Sequence, residues 1–575
     1  MKKEFEERIL DPRGAQRRTR LKLARRISLK ELREGPVLFY NNTKLRYAGY
    51  NEVFVQVKKR FAERGITNFV DIEETVRGKS TAQLKEYGAG LVARSKPKAA
   101  VVALGDMGTS PATSIVTMGI EEAGVPAVYI TAPPGTDLVR STVFYRAGHL
   151  CLTSLDIYQG SSKEDIDKEV DKNLRRILES LTSPPRKLER IAKIEIPLDK
   201  QPPADDGLIN LVESLKTVGS LKSDPETFNE ALNDFFVSMN MTDGLPMIPP
   251  TMRRYEKMLE YCPWDPETVL ASEIGPAGAD ITVKDLAIAA VMAGAKPMAM
   301  PILVASFKAM NNKNYNFLQS VSTSHPGGNL VLVSGPIAKQ VGLYGGPGCL
   351  GPGPWANAAI GRALNLVLIN RTRVVPGISD LDCLASQAEF TYTFSEEPSL
   401  TPWNTINVEH FDRDTTTIYV LKAEPPHDII DFISQNGGDL MDTITSSCTT
   451  LGSNNATLPG PLVLVLTPDH AELLSRDGWD KKSIREHIHK WAFTPTAMSR
   501  NRGLSPATPK EYLNMHPMPA TRSPRDIEVV VAGNRGGHSA VILPWALHSE
   551  GIVEPLTLPN GKIAKDIKEF RVKGK

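Results

Sequence analysis

Between residues 36 and 181 the chain alternates two hydrophobic patterns. Short runs of consecutive apolar β-formers give way to longer stretches whose apolar positions recur at helical spacing. "PVLFYNN", "NFVDIEE", "AAVVALGD" and "PAVYITA" are the predicted strands. "NEVFVQVKKRFAERG", "STAQLKEYGAGLVARS" and the stretch 115–124 are the predicted helices between them. Such alternation predicts an α/β fold with a doubly wound, mainly parallel sheet. The segment closes on a long helix whose apolar stripe is Ile166, Val170, Leu174, Ile177, Leu178 and Leu181.

The pattern then breaks. Residues 182–207 are rich in proline and charge, which predicts a linker. It resumes at "SDPETFNEALNDFFVSM", a helix with Asp224 as its cap and Phe228, Leu232, Phe235, Phe236 and Met239 as its buried stripe. Three strand–turn–helix units follow, at 329–343, 461–478 and 527–543, and "FTYTFSE" and "TTTIYVLKA" read as antiparallel strands. The last unit echoes the stretch around residue 105 and hints at internal duplication. The expected organisation is a basic arm over 1–35, an α/β domain over 36–181, a linker over 182–223 and a larger α/β region over 224–575, divisible into two subdomains. Residues 495–526 hold six prolines and little periodicity, as a lid or subunit contact would.

Length fits several domains, since 575 residues exceed one ordinary core. A formal charge of +2 gives no ground for a nucleic-acid partner. Seven basic residues between Arg13 and Arg26, with no acid among them, predict a solvated or subunit-crossing arm; a polyanion-binding arm is the alternative. The five cysteines form no CxxC pair, and "MKKEFEERIL" lacks the apolar core of a secretory signal, so a cytoplasmic setting is expected. The most apolar window, Leu286–Ala305, is cut by Lys296, Pro297 and Pro301, which predicts two core helices and no membrane span.

Chemistry concentrates where strands end. In "GDMGTSPATS" Gly105 and Gly108 permit a tight turn and close backbone approach to a ligand. The following helix N-terminus offers N–H groups to an anion. Asp106 is the candidate proton-transfer or orienting group. Ser110 and Thr109 are the candidate substrate contacts, with Thr113 and Ser114 beside them. "GDMGTSPATSIVTMGIEEAGVPAVYI" resembles the UGSC-motif selenoprotein-like family and, more distantly, the B component of the glycine, sarcosine, betaine and D-proline reductases. The resemblance covers about 36–181 and rests on Asp106, Gly108, Gly124, Val125 and Pro126. It implies the α/β fold and a ligand pocket. Met107 stands where that family carries selenocysteine or cysteine, and Ser110 where it carries a second thiol, so thiolate-based reduction is not implied. The stretches "DGLPMIPPT", "AIAAVMAGAKP", "GPGPWANAAIGRAL" and "AGNRGGHSAV" likewise look like the long C-terminal partner found beside such domains, which lends architecture and no mechanism.

In the second region, "YGGPGCLGPGPW" delivers backbone N–H groups to a helix beginning near Trp355. Cys349 lies in it and is a candidate nucleophile of lowered pKa; an inert buried thiol is the alternative. Asn357 and Arg362 follow as candidate substrate contacts, with an internal acid as the competing partner of Arg362. Cys448, in "DTITSSCTTLGSNNAT", is a second thiol candidate; an ordinary solvent loop is the alternative. His325 and His538 lie beside glycines at predicted strand ends and are candidate acid/base groups; Asn534 belongs to the same turn as His538. No dinucleotide or phosphate-loop fingerprint and no metal motif appears, so the cofactor stays unassigned.

These residues predict an enzyme acting on a small, polar, anionic substrate by redox-neutral cleavage or addition at a carbon–heteroatom bond, of lyase or hydrolase type. Its pocket is expected between the two regions, in a homo-oligomer with neither nucleic-acid nor membrane partners. The alternatives are a thiol-dependent enzyme using Cys349 or Cys448, and a non-catalytic small-molecule-binding or complex subunit derived from a selenoprotein.

Overall fold

The structure is a computed structural model. It describes residues 8–14, 19–46, 50–76, 78–106, 109–133, 135–158, 160–196, 206–210, 225–321, 323–450, 452–456, 458–494, 517–545 and 549–572. Three sheets organise it.

The first contains β1 (Val37–Asn41), β2 (Phe69–Glu73), β3 (Ala99–Gly105), β4 (Ala127–Thr131) and β5 (Leu152–Ser154), all parallel, in the order β2-β1-β3-β4-β5. The central strands β1, β3 and β4 are apolar on both faces because helices cover both. Phe39, Val101 and Val128 face the helices 52–62 and 163–182; Tyr40, Val102 and Tyr129 face the helices 81–95 and 110–122. The stripe on Lys163–Thr182 is buried as its spacing predicts, and Ser162 caps it through a capping box with Asp165.

The second sheet runs β7-β6-β8-β13, from β6 (Gly328–Ser334), β7 (Thr393–Ser395), β8 (Thr417–Ala423) and β13 (Ile552–Pro555). The third runs β9-β12-β10-β11, from β9 (His427–Ile430), β10 (Leu462–Leu466), β11 (Ile527–Val531) and β12 (His538–Ile542). The two pack face to face. Leu330, Leu332, Phe394 and Leu421 meet Val463, Val465, Val530 and Ile542 in one core. The other face of the second sheet packs on the helices Val283–Met292, Met300–Met310 and Trp355–Asn370. The apolar window is thus two core helices, and among the described residues no helix is long and apolar enough to cross a membrane.

Four expectations are corrected. The unit at 527–543 is strand–turn–strand. Gly536, at φ +143°, reverses the chain, and "HSAVI" continues as β12, antiparallel to β10, while β11 pairs parallel to β10 on its far side. "TTTIYVLKA" is an antiparallel strand as expected, antiparallel to both β6 and β13, but "FTYTFSE" is not, because β7 pairs parallel to β6. The predicted linker includes the helix Pro185–Ala192, whose Leu188, Ile191 and Ala192 enter the core of the first domain; Pro185 suits a first helical turn as well as a loop. The basic arm is not uniformly solvated. Arg26 is buried in a two-pronged ion pair with Glu121, and Arg13 is buried against Asp11. Residues 8–10 pair with Leu208–Asn210, and Ile9 and Leu10 join the core of the second region. Asp224 and residues 495–516 of the predicted lid or subunit contact at 495–526 lie outside the described residues.

Candidate functional site

The strand order of the first sheet reverses between β1 and β3. Open α/β sheets bind ligands in the crevice outside their carboxyl ends at such a switch point. Asn42 and Lys44 leave β1 there, and Asp106 leaves β3. All three are at least nine-tenths buried. Asp106 Oδ1 lies 3.4 Å from Lys44 Nζ and accepts no hydrogen bond. Thr109 precedes the helix Ser110–Glu122 without capping it, and its buried Oγ1 also has no partner. Burial pushes the Tyr50 hydroxyl up to about 12, and the nearby Asp106 carboxylate adds to the shift; the same two causes raise Tyr129. The turn therefore presents a carboxylate, an ammonium, an idle hydroxyl and two protonated phenols.

The other residues expected at this turn are held by the protein itself. Thr113 Oγ1 bonds the Thr109 carbonyl and accepts from Asn42 Nδ2 at 2.7 Å; Ser114 Oγ donates to the Pro111 carbonyl. Ser110 is fully buried, and its carbonyl accepts from the Tyr129 hydroxyl at 3.3 Å. Gly105 serves packing: a Cβ there would sit 2.9 Å from the Tyr129 hydroxyl oxygen and closer still to Thr131. Gly108 and Met107 lie outside the described residues. Lys44, Tyr50 and Asn42 were not expected. "NNTK", directly after a strand of a doubly wound sheet, was the available signal.

A second group forms in the third sheet. Cys349, Asn534 and His538 line one cavity of about 320 Å³ at the carboxyl ends of β10 and β11. Desolvation pushes the Cys349 thiol up to about 11, although backbone N–H groups of Gly533, Cys349 and Leu350 oppose it. The predicted lowering is reversed because a buried thiol gains more from staying neutral than these dipoles return. His538 is exposed and pairs with Asp428 at 3.0 Å. Behind it His470, buried and not expected, holds Ser539 at 2.7 Å and the Asp431 carbonyl at 2.9 Å. Cys448 ends the helix Gly437–Ser447 fully buried, its thiol raised to about 12 by burial; it is not in a solvent loop. Asn357 staples the glycine-rich loop through Tyr344 and the Cys349 carbonyl. Arg362 binds Asp243 through two nitrogens, at 2.6 and 2.9 Å, and caps the Leu245 and Pro246 carbonyls. Both are spent inside the fold.

His325 lies apart from both groups. Its Nε2 meets Glu424 at 3.2 Å and its buried Nδ1 has no partner. Beside its loop, where the Cys383 N–H reaches the Ser324 carbonyl, Asp380, Asp382 and Glu389 bring carboxylate oxygens within 4.8 Å of one another. Burial pushes Asp380 and Asp382 above the usual carboxylate range, and Lys422 pulls both back. The spacing D-x-D-x6-E, with no recognised loop around it, carried no signal.

The two regions meet on this side. Gln319 Nε2 reaches the Val76 carbonyl beyond β2, and the Ser141 hydroxyl lies 3.5 Å from the Ile378 carbonyl. Ser141 belongs to the helix Gly135–Arg146, whose Gly135 packs on the backbone of Gly105 and Asp106. A separate cavity of about 1150 Å³, between Gly335, Tyr344, Glu396 and Arg413, opens at the other end of β6 and β7. No family model matches this sequence, and no curated protein and no solved structure matches it.

Proposed function

We propose that the chain is an enzyme that acts on a small anionic substrate by redox-neutral cleavage or addition at a carbon–heteroatom bond, with Asp106 at its centre. The observation that carries the reading is Asp106 itself: a buried carboxylate at the switch point of a parallel sheet, close to Lys44, with an oxygen that accepts no hydrogen bond. In this reading Lys44 holds the negative charge of the substrate, Thr109 binds it through its idle hydroxyl, and Asp106 moves or orients the proton. The resemblance to the UGSC-motif family supports a ligand pocket at this turn, and Met107 in place of a thiol or selenol supports chemistry without a change of redox state. A cytoplasmic homo-oligomer belongs to the same proposal. Five free cysteines and the exposed Phe432 and Ile433 are its support.

The test is a thermal-shift screen of small carboxylates and phosphates on wild type and Asp106→Asn, followed by NMR of each stabilising compound for product. We expect a ligand that stabilises both proteins and is converted by wild type alone. A ligand bound and never converted would make the protein a binding subunit. Asp106→Ala and Thr109→Ala variants that bind and turn over as wild type does would overturn the site.

A further inference from the structure

Lys422 and its surroundings are unused by the reading above. On β8, Tyr419 and Leu421 face the third sheet, while Ile418 and Val420 face the helical layer. Strand alternation puts Lys422 on the helical side, with its register partner Asn329 of β6 beside it. Lys422 is 6% exposed, and among the described residues its ammonium has no hydrogen bond or ion pair. A side-chain relay holds the acidic segment over it. The Tyr315 hydroxyl donates to Asn329 at 2.7 Å, Asn329 reaches Asn365 at 3.5 Å, and Asn365 donates to the Glu389 carbonyl.

The cluster is as incomplete as the lysine. Asp382 Oδ1 and Glu389 Oε1 are buried and accept no hydrogen bond. Three carboxyl groups converge with no donor from elsewhere in the fold, and the ammonium of a buried lysine near them lacks a protein acceptor. A cation alone would satisfy the first, and an anion alone the second. A cation that carries an anionic ligand would satisfy both.

We propose that Asp380, Asp382 and Glu389 bind an oxygen-preferring divalent cation, of the magnesium or manganese kind, and that Lys422 faces a small anion that completes its coordination. The ligand set argues the class of metal: it offers carboxylate oxygen without the thiolate or imidazole that zinc and copper select. The site does not rest on the Asp106 reading, because none of its residues belongs to that turn.

Manganese is the probe, because its free and bound forms separate by electron paramagnetic resonance. The full chain, stripped with chelator, is titrated with Mn²⁺ alone and then with oxalate present. One saturable site is expected. Asp382→Asn and Glu389→Gln each weaken it by at least about tenfold. Oxalate tightens Mn²⁺ binding in wild type, and Lys422→Met keeps the metal but loses that enhancement. Asp106→Asn leaves all of these values unchanged, so the failure of one site does not masquerade as failure of the other. Circular dichroism of each variant separates lost binding from lost folding, and Lys422→Met, which retains all three carboxylates, keeps the test available if an acidic variant fails to fold. Absence of saturable Mn²⁺ binding to wild type, or equal binding by folded Asp382→Asn, overturns the metal site. Undiminished oxalate enhancement in Lys422→Met overturns the role of the lysine.

Discussion

Two buried lysines stand at the ends of two sheets and have opposite company. Lys44 lies 3.4 Å from the Asp106 carboxylate. Lys422 acts on Asp380 and Asp382, which converge with Glu389, and among the described residues it forms an ion pair with none of the three. The first arrangement is near charge balance within the protein; the second, with its three carboxyls ionised, is not, and burial answers by pushing Asp380 and Asp382 toward their protonated forms. A balanced pair is a rigid piece of the fold that can also meet a substrate. An unbalanced cluster beside an idle cation has its balance supplied from outside.

Stability measurements break or sharpen this contrast. Lys44→Met strands the Asp106 carboxylate in the interior and is expected to cost about 3–5 kcal/mol in urea denaturation. A loss below about 1 kcal/mol would mean that the pair is weakly coupled and the contrast is false. Gly105→Ala drives a Cβ against Tyr129 and Thr131, for an expected loss of about 1–3 kcal/mol with the same readout. Lys422→Met removes a cation that has no direct partner, so metal-free protein is expected within about 1 kcal/mol of wild type. Cysteine chemistry gives the smallest effect on the fold. Cys383, exposed, alkylates first at pH 8; Cys349 and Cys448 react about a hundredfold more slowly, read by peptide mass spectrometry. Both buried thiols keep their protons to higher pH in the folded chain than in the unfolded one. Their contribution to stability is therefore complete below the ordinary thiol value of 9.0 and is lost as pH rises through about 11 and 12.

The parallel sheet was legible in the sequence because each of its elements carries its own period. The apolar runs of β1, β3 and β4 and the stripe on 163–182 need no distant partner to be recognised. The turn after β3 was legible for the same local reason, and Asp106 with it. Lys44 was not, because what makes it part of the site is the adjacency of β1 and β3, whose register partners Val37 and Ala99 are 62 residues apart in the chain. The cluster of Asp380, Asp382 and Glu389 shows the same limit more sharply, since Lys422 reaches it only through the pairing of β8 with β6. The depth of Cys349 is not legible, because a glycine-rich loop predicts nearby N–H groups but not how deeply the thiol is packed. The turn at 533–537 reads as a helix entry in the sequence because glycines before a small polar residue suit either outcome.

The antiparallel pairing of residues 8–10 with Leu208–Asn210 has a consequence for how the molecule is made. Ile9 and Leu10 belong to the core of the second region, and the Leu10 N–H reaches the Pro250 carbonyl at 3.0 Å. The first domain is therefore spliced into the second, and the strand that closes the second is synthesised ahead of the first domain. During translation that strand has no partner until the whole first domain has emerged, so the first domain can finish folding while the second waits for its opening residues to be met. Cutting the chain at residue 206 to isolate the second region would remove part of that region's own interior.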